Sequence, residues 1–163
     1  MLSRQIHPIP PVYDEFSEVL ILGSFPSVRS RETGFYYGHP QNRFWKVLTE
    51  VLGWPAVPET VPQKREMLLA SHIALWDVIA SCEISGSSDA SIRNIVPNDL
   101  HSLLSRSRVR AVFCNGTTAY RLCLRYPDPE TRLQPVLLPS TSPANASWSL
   151  SGLVEAWQVL RTV

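Results

Sequence analysis

The chain has 163 residues, 44% of them apolar, and its 15 Lys and Arg nearly balance 14 Asp and Glu, giving a formal net charge of +1 at pH 7. This composition is typical of a folded globular protein and argues against a disordered one. The length favours a single domain over residues 1–163. No segment has the roughly 18 to 20 consecutive apolar residues of a membrane span, and Met1–Pro11 lacks the apolar stretch of a secretory signal, so we expect a cytoplasmic protein with no membrane partner.

Apolar runs and helical periodicities alternate along the chain. The predicted elements are a strand at Val19–Leu22, helices at Asn42–Leu52 and Gln63–Ser71, a strand at Ile73–Val78, a helix at Asn98–Ser105 capped by Asn98 or Asp99, a strand at Val109–Cys114, a helix at Thr117–Tyr126, a strand at Pro135–Leu138 and a helix at Leu150–Leu160. Strands that alternate with helices need crossovers, which predict parallel pairing. We therefore expect a three-layer α/β fold with a central four-stranded, mostly parallel sheet flanked by helices. The polar segment Ser81–Ser91 is predicted to be a long mobile loop.

The three cysteines, Cys82, Cys114 and Cys123, have no C-x-x-C spacing. An odd number of cysteines without a C-x-x-C pair argues against a disulfide framework, a zinc ribbon and a four-cysteine iron-sulfur cluster. We expect three reduced, mostly buried thiols and no metal site.

Basic residues without an acidic partner are concentrated between Ser105 and Pro127. They are Arg106, Arg108, Arg110, Arg121 and Arg125. Such a run predicts a local anion-binding face, and its simple alternative is a set of solvated arginines that flank a strand and lie on a helix.

Polar and small residues follow each of the four predicted strands. The segments are Gly23–Ser27, Asp77–Ser81, Asn115–Thr118 and Pro139–Asn145. Because the ligand crevice of an open parallel sheet lies beyond the carboxyl ends of its strands, we expect these loops to converge on one site. For any one loop the alternative is that its Ser, Thr, Asn and Gly are ordinary turn and cap residues.

An aromatic-rich segment, Gly34–Trp45, leads directly into the first predicted helix. Aromatic faces stack on flat bases, so the segment is a candidate wall for a base. Phe44 and Trp45 are expected in the core. Asn42 stands at the helix start, where an N-cap is the alternative to a ligand contact.

Six segments match, in order, the motifs of one enzyme superfamily. They are GSFPS at Gly23–Ser27, HPQNRFW at His39–Trp45, ALWDVIASC at Ala74–Cys82, RNIVPND at Arg93–Asp99, FCNG at Phe113–Gly116 and LPSTSPAN at Leu138–Asn145. Together they resemble the uracil-DNA glycosylase superfamily. Within it, they are more similar to the hypoxanthine-DNA glycosylases, also called deoxyinosine glycosylases, than to the mismatch-specific uracil and thymine glycosylases. The resemblance covers about Ile6 to Leu160.

Two positions depart from the pattern of the uracil-specific relatives. Phe25 stands where those enzymes carry an Asn or Asp that positions or activates water, and Leu138 stands where they carry a His that stabilises the leaving uracil. In the hypoxanthine branch the Asn of HPQNRFW is implicated in catalysis. The resemblance therefore assigns the catalytic role to Asn42.

Further catalytic and aromatic roles are expected around Asn42. Asp77, which follows the second apolar run, is expected to help with water or with the positive charge on the sugar, and its alternative is a structural carboxylate. By the resemblance, Tyr37 stacks on the extruded base, and we expect Phe25 to form the opposite wall; the alternative for either residue is a position in the core. His39, beside Pro40 in a turn, is expected to hold its loop through hydrogen bonds.

The remaining candidates contact the base edge or the DNA backbone. Those for the base edge are Ser24, Asn115 and backbone groups near Gly23 and Trp76, and those for the backbone are Ser140, Thr141, Ser142 and Asn145, of which Asn145 lies near the wedge that enters the duplex.

The resemblance predicts a monomeric, monofunctional DNA glycosylase of base excision repair that uses no metal or organic cofactor. It hydrolyses the N-glycosidic bond of a deaminated base, chiefly hypoxanthine, and leaves an abasic site. Lys46 and Lys64 lie on predicted helices and offer no evident nucleophile, which favours attack by water. The alternatives are a uracil-, xanthine- or mismatch-specific glycosylase of the same superfamily, a non-catalytic nucleic-acid-binding module and a free-nucleoside hydrolase.

Overall fold

Strands and helices alternate through most of the chain, and the computed structural model describes residues 1–130 and 133–163. The strands are β1 (Ser3–Ile6), β2 (Val19–Gly23), β3 (Ile73–Asp77), β4 (Ile79–Ile84), β5 (Arg93–Pro97), β6 (Ala111–Asn115) and β7 (Pro135–Leu138). The helices are α1 (Val28–Thr33), α2 (Phe44–Leu52), α3 (Val61–Ala70), α4 (Leu100–Ser105), α5 (Thr117–Arg125) and α6 (Leu150–Trp157). Short 3₁₀ helices lie at Asp89–Ser91 and Gln158–Thr162.

The central sheet has the strand order β3-β2-β6-β7, and all its neighbours pair in parallel. Every residue of β2 is buried. Ile21 enters the core shared with α2, α3 and α6, whereas Leu22 enters the core shared with α4 and α5. A strand covered on both faces is apolar throughout, which explains why the sequence revealed it. The predicted α/β fold is confirmed, and its four strands lie within two residues of the predicted bounds.

The carboxyl ends of these strands meet at one edge because the register is aligned. Gly23 lies beside Asp77, and Asn115 lies beside Leu138. We call this the carboxyl edge.

The helix ends follow from their capping residues. Thr60 and Gln63 form a reciprocal capping box, which starts α3 two residues before the predicted position. Asp99, rather than Asn98, caps α4. The unpredicted α1 is a single short segment of six residues that Ser27 caps at its start.

An antiparallel sheet of order β1-β4-β5 lies beside the parallel one and was not predicted. The segment expected to be a loop from Ser81 to Ser91 instead continues β4 to Ile84. Most residues of β1 and β5 are exposed, so their sequences lack the apolar run that identifies a buried strand. All three cysteines are buried and none is in a disulfide, as expected.

No helix in residues 1–130 and 133–163 is long and apolar enough to cross a membrane.

Candidate active site

A cavity of about 380 Å³ opens at the carboxyl edge, within the roughly 300 to 1,000 Å³ of small-molecule sites. Because Phe25, Tyr36 and Tyr37 line it, we call it the aromatic cavity. All four strand-end segments contribute to it, which confirms that they converge. Its polar lining includes Ser24, Asn42, Asp77, Asp89, Asn115, Ser140, Thr141 and Ser142.

The floor of the cavity contains a buried histidine and carboxylate pair. Nε2–H of His7 donates to Oδ2 of Asp77 over 2.8 Å, and the two side chains are only 3% and 5% exposed. Nδ1 of His7 accepts from the backbone N–H of Ile9 at 3.2 Å, which places the ring proton on Nε2. His7 is thus a donor that fixes the orientation of the Asp77 carboxylate.

Gly23 gives this carboxylate the space that it occupies. A Cβ at Gly23 would collide with Oδ1 of Asp77 and would lie 3.1 Å from the hydroxyl of Tyr37. The absence of a side chain therefore lets a carboxylate oxygen and a phenol approach the same point of the floor.

Tyr37 brings an unsatisfied donor to this point. Its ring stacks on Phe44 with centroids 4.1 Å apart. Its hydroxyl is buried and has no hydrogen-bond partner among the described residues. Burial, and then the nearby Asp77 carboxylate, raise the pKa of Tyr37 above its ordinary value, and the Asn115 side chain, which is near but makes no well-formed hydrogen bond, lowers it less, so the phenol is neutral. A buried donor without a hydrogen bond is unfavourable, so an acceptor placed beside it by a ligand would stabilise it.

Asn42 presents N–H groups to the cavity. Its Oδ1 accepts from the backbone N–H of Phe44 and from the hydroxyl of Thr141, each over 2.9 Å. The amide of Asn115 brackets Thr141, donating to its hydroxyl and accepting from its N–H, each over 3.0 Å. These donors orient the Asn42 amide, and its Nδ2 has no protein acceptor within the described ranges. Asn42 is therefore both a helix-start residue and a cavity residue.

The loop after β7 is held by one arginine. The guanidinium of Arg43 donates to the carbonyls of Trp148, Ser142 and Asn145, the last two over 3.2 and 3.0 Å. The backbone N–H of Arg43 donates to the Thr141 carbonyl over 3.1 Å. Arg43 thus ties helix α2 to the segment that forms the rim, a role the sequence analysis did not assign.

A second cavity, of about 520 Å³, adjoins the aromatic cavity on the outer side of this loop. We call it the Trp148 groove. Its lining includes Asp89, Gly116, Thr117, Pro139, Ser140, Ser142, Ala144, Asn145 and Trp148. Asp89, Ser140, Ser142 and Ala144 line both cavities.

Asp89 is a second carboxylate at the site, and the sequence analysis missed it. It lies in the segment between β4 and β5, and its Oδ1 accepts from the Ser24 hydroxyl over 3.0 Å. Burial, and more weakly Asp77, raise the pKa of Asp89, while the Ser24 and Thr118 hydroxyls lower it. The only signal in the sequence was the polar character of its segment.

Comparison with known proteins identifies the family. The chain matches the family model of the uracil DNA glycosylase superfamily over residues 10–161. The chain belongs to that superfamily. It is 36% identical over 143 residues to a hypoxanthine DNA glycosylase of Methanosarcina acetivorans, covering 86% of this chain and 88% of the relative. It is 34% identical over 151 residues to a hypoxanthine DNA glycosylase of Methanosarcina barkeri, covering 91% and 92%.

A solved structure supports the same assignment. The solution NMR structure of a Methanosarcina acetivorans protein named as a uracil DNA glycosylase superposes with a TM-score of 0.77 at 32% identity, covering 96% of this chain and 99% of that one. The resemblance drawn from the sequence motifs is confirmed.

The two departures from the uracil-specific pattern of the superfamily have different structural settings. Phe25 lines the aromatic cavity, and its ring meets His7 edge-on with centroids 5.9 Å apart. Leu138 is buried in the core, at 2% exposed. Neither position supplies a polar group, so the polar chemistry of this glycosylase-like site comes from other elements.

Of the predicted site residues, all but Trp76 line one of the two cavities. Trp76 lies inside β3, packs against both cores and does not line the aromatic cavity. Thr141 lines the aromatic cavity but is fully buried, and its hydroxyl is engaged by Asn42 and Asn115, so in this structure it supports Asn42. His39 accepts from the N–H of Gln41 over 3.1 Å, as expected for a residue that holds its turn.

The arginine run does not belong to the site. Arg106, Arg108 and Arg110 precede β6 and so lie at the opposite edge of the sheet. Arg108 stacks on Phe16, and Arg110 lies 3.7 Å from Glu18. The alternative of ordinary solvated and stacked arginines is the one that the structure favours. Among the described residues, no group of three or more His, Cys, Asp or Glu side chains has the arrangement of a metal site.

Proposed function

We propose that this protein is a DNA glycosylase that hydrolyses the N-glycosidic bond of deaminated bases, chiefly hypoxanthine. The observation that carries the proposal is the floor of the aromatic cavity, where an oriented carboxylate and an unpartnered phenol face the same point. The names of the relatives from Methanosarcina support hypoxanthine as the substrate. The proposal includes action as a monomer in the cytoplasm.

The floor has the hydrogen-bonding pattern that a deaminated base requires. Hypoxanthine carries an O6 acceptor beside an N1–H donor, which reverses the pattern of adenine. Oδ1 of Asp77 can accept from N1–H while the Tyr37 hydroxyl donates to O6. Adenine would leave both buried groups unpaired, and sites of this kind reject such analogues strongly. Uracil has the same pair in O4 and N3–H, so it is the second candidate substrate.

The cavity can hold only a base that has left the duplex. Extrusion costs a few kcal/mol of unstacking and is easiest for a mispaired base, which favours damaged positions. Phe25 provides an aromatic wall for the flat base, whereas the ring of Tyr37 is stacked on Phe44 and its hydroxyl is the part that meets the base edge. The Trp148 groove, with Ser140, Ser142 and Asn145, provides hydroxyl and amide groups for the adjoining sugar and phosphates.

Cleavage of the glycosidic bond leaves positive charge on the sugar and negative charge on the departing base. The free Nδ2 of Asn42 can hold the attacking water by its oxygen or stabilise the developing anion. The Asp77 carboxylate, in the same cavity, contributes negative potential. Lys46 and Lys64 line neither cavity, which supports attack by water and a monofunctional reaction.

The proposal is tested with end-labelled duplexes that contain one hypoxanthine, uracil, xanthine or adenine, incubated with enzyme and then with alkali. Wild type should cause scission at hypoxanthine and none at adenine. Asn42→Ala should slow excision roughly 10²- to 10³-fold, the range for loss of one preorganised donor. Scission only at uracil would show that uracil, not hypoxanthine, is the substrate. Binding of the duplexes without scission at any base would overturn the proposal that the protein is an enzyme.

A further inference from the structure

The reaction needs an acceptor for the proton of the attacking water, and Asn42 does not provide one. Both hydrogen bonds to its Oδ1 come from the protein, so the amide offers only donors to the cavity. Among the described residues that line the aromatic cavity, Asp77 and Asp89 are the two carboxylates. The choice between them depends on where each lies relative to the bond that breaks.

The glycosidic bond must lie where the two cavities meet. It joins the base, which the aromatic cavity holds, to the sugar and phosphates, which the Trp148 groove accommodates. Asp89 lines both cavities, whereas Asp77 lines only the aromatic cavity. Asp77 also has one oxygen bonded to His7 and the other packed over Gly23. Its position therefore suits the base edge, and that of Asp89 suits the sugar.

The negative charge of Asp89 beside the Trp148 groove repels DNA phosphates and so weakens binding. A carboxylate at this position is therefore better explained by a role in the reaction than by a role in binding. Asp89 is nevertheless held in place, because the Ser24 hydroxyl donates to its Oδ1 over 3.0 Å. The Thr118 hydroxyl also hydrogen-bonds to this carboxylate and, like Ser24, favours its charged form. Asp89 as a whole is exposed, but the groups around its carboxylate partly desolvate it, and this desolvation outweighs the two hydroxyls and raises its pKa above the ordinary value, closer to that of an effective general base.

We propose that Asp89 is a catalytic residue, the general base and electrostatic partner at the sugar carbon C1′. This inference rests on the proposed glycosylase function. The oxygen of water forms a bond to C1′ while the bond from C1′ to the base nitrogen breaks and its electron pair leaves with the base. The water proton passes to Asp89. The departing base anion takes a proton from solvent, and Asp89 then returns its proton to solvent.

The experiment measures single-turnover excision from duplexes containing hypoxanthine or uracil, and affinity for abasic-site DNA, with wild type, Asp89→Asn, Asp89→Glu and Asp99→Asn. Asp99 is the matched control, because it is an exposed aspartate that caps α4 and lines neither cavity, and Asn caps a helix equally well. It reports the effect of removing one negative charge from a DNA-binding protein.

Asp89→Asn should slow excision roughly 10²- to 10⁴-fold, the usual contribution of a general base. The factor should be the same for hypoxanthine and uracil, because the residue acts on the sugar. Affinity for abasic DNA should match that of Asp99→Asn, and Asp89→Glu should retain more activity than Asp89→Asn.

Three results would overturn the assignment of Asp89: a rate for Asp89→Asn within about threefold of wild type, a different factor for the two bases, or an equal loss of abasic-DNA affinity and rate. A wild-type enzyme that binds these duplexes without excising either base would instead overturn the proposed function, and the role of Asp89 with it.

Discussion

The floor and the rim of the aromatic cavity hold their polar groups in different ways. At the floor, Asp77 is fixed by a side-chain bond from His7, and both side chains are almost completely enclosed. At the rim, Arg43 holds backbone carbonyls of a loop whose residues 143, 144 and 146–148 are exposed. Buried polar groups cannot change partners without cost, whereas an exposed loop tied through its carbonyls can adjust. Under the proposed function, this difference suits a floor that selects the base and a rim that accommodates the DNA.

Gly23→Ala is expected to have the largest effect, because it adds an atom directly to the floor. The new Cβ collides with Oδ1 of Asp77 and crowds the hydroxyl of Tyr37. Overpacking of this kind costs about 1 to 3 kcal/mol of stability. Misplacing a site by about 1 Å can cost roughly 10²-fold in rate, so single-turnover excision should fall by at least that factor. Adding Asp77→Ala removes the collision but leaves the buried Nε2–H of His7 without its acceptor, so the double variant should recover neither full stability nor activity. A Gly23→Ala enzyme as active as wild type would show that the floor is not the base site.

Asp77→Asn should change base selection with little change in fold. The amide keeps an oxygen for His7 and turns its NH₂ group toward the cavity, where N1–H of hypoxanthine needs an acceptor. Loss of a hydrogen bond to a charged group predicts a roughly 10- to 100-fold lower kcat/KM for hypoxanthine. Affinity for abasic-site DNA should not change. Excision of hypoxanthine at the wild-type rate would remove Asp77 from base recognition.

His7→Leu should reduce stability more than DNA affinity. It leaves the buried Asp77 carboxylate without its donor, at a cost of about 1 to 3 kcal/mol in the free energy of unfolding. His7→Gln, which can place an N–H near the same point, is the control and should recover much of the loss. Denaturant midpoints at neutral pH measure both variants. Equal stabilities for His7→Leu and wild type would contradict the buried pair.

Arg43→Lys should have the smallest effect and should not depend on the base. Lysine keeps the charge but cannot span the carbonyls of Ser142, Asn145 and Trp148 together. We expect affinity to weaken roughly tenfold for hypoxanthine, uracil and undamaged duplexes alike, as measured by titration of labelled DNA. A loss confined to one base would assign the rim a part in base selection.

The sequence revealed the parallel sheet and the rim better than the floor. The four parallel strands are buried apolar runs, and the carboxyl-edge rule then located Ser24, Asn115 and Ser140. His7 and Asp89 come from the antiparallel sheet and its connections, whose short, partly exposed strands have no distinctive pattern. The inward orientation of Thr141 was equally invisible, because a hydroxyl in a loop has the same sequence signature whether it faces solvent or Asn42.

The hydrogen bond between Thr141 and Asn42 joins residues 99 positions apart in the chain. Arg43 reaches the same loop over 99 to 105 positions. Such distant pairings form only after a large loss of chain entropy, so they are slow steps of folding. The rim is therefore completed only when β7 and the loop after it have been synthesised and docked. Excision activity should accordingly appear as a late event during refolding, after most of the secondary structure has formed.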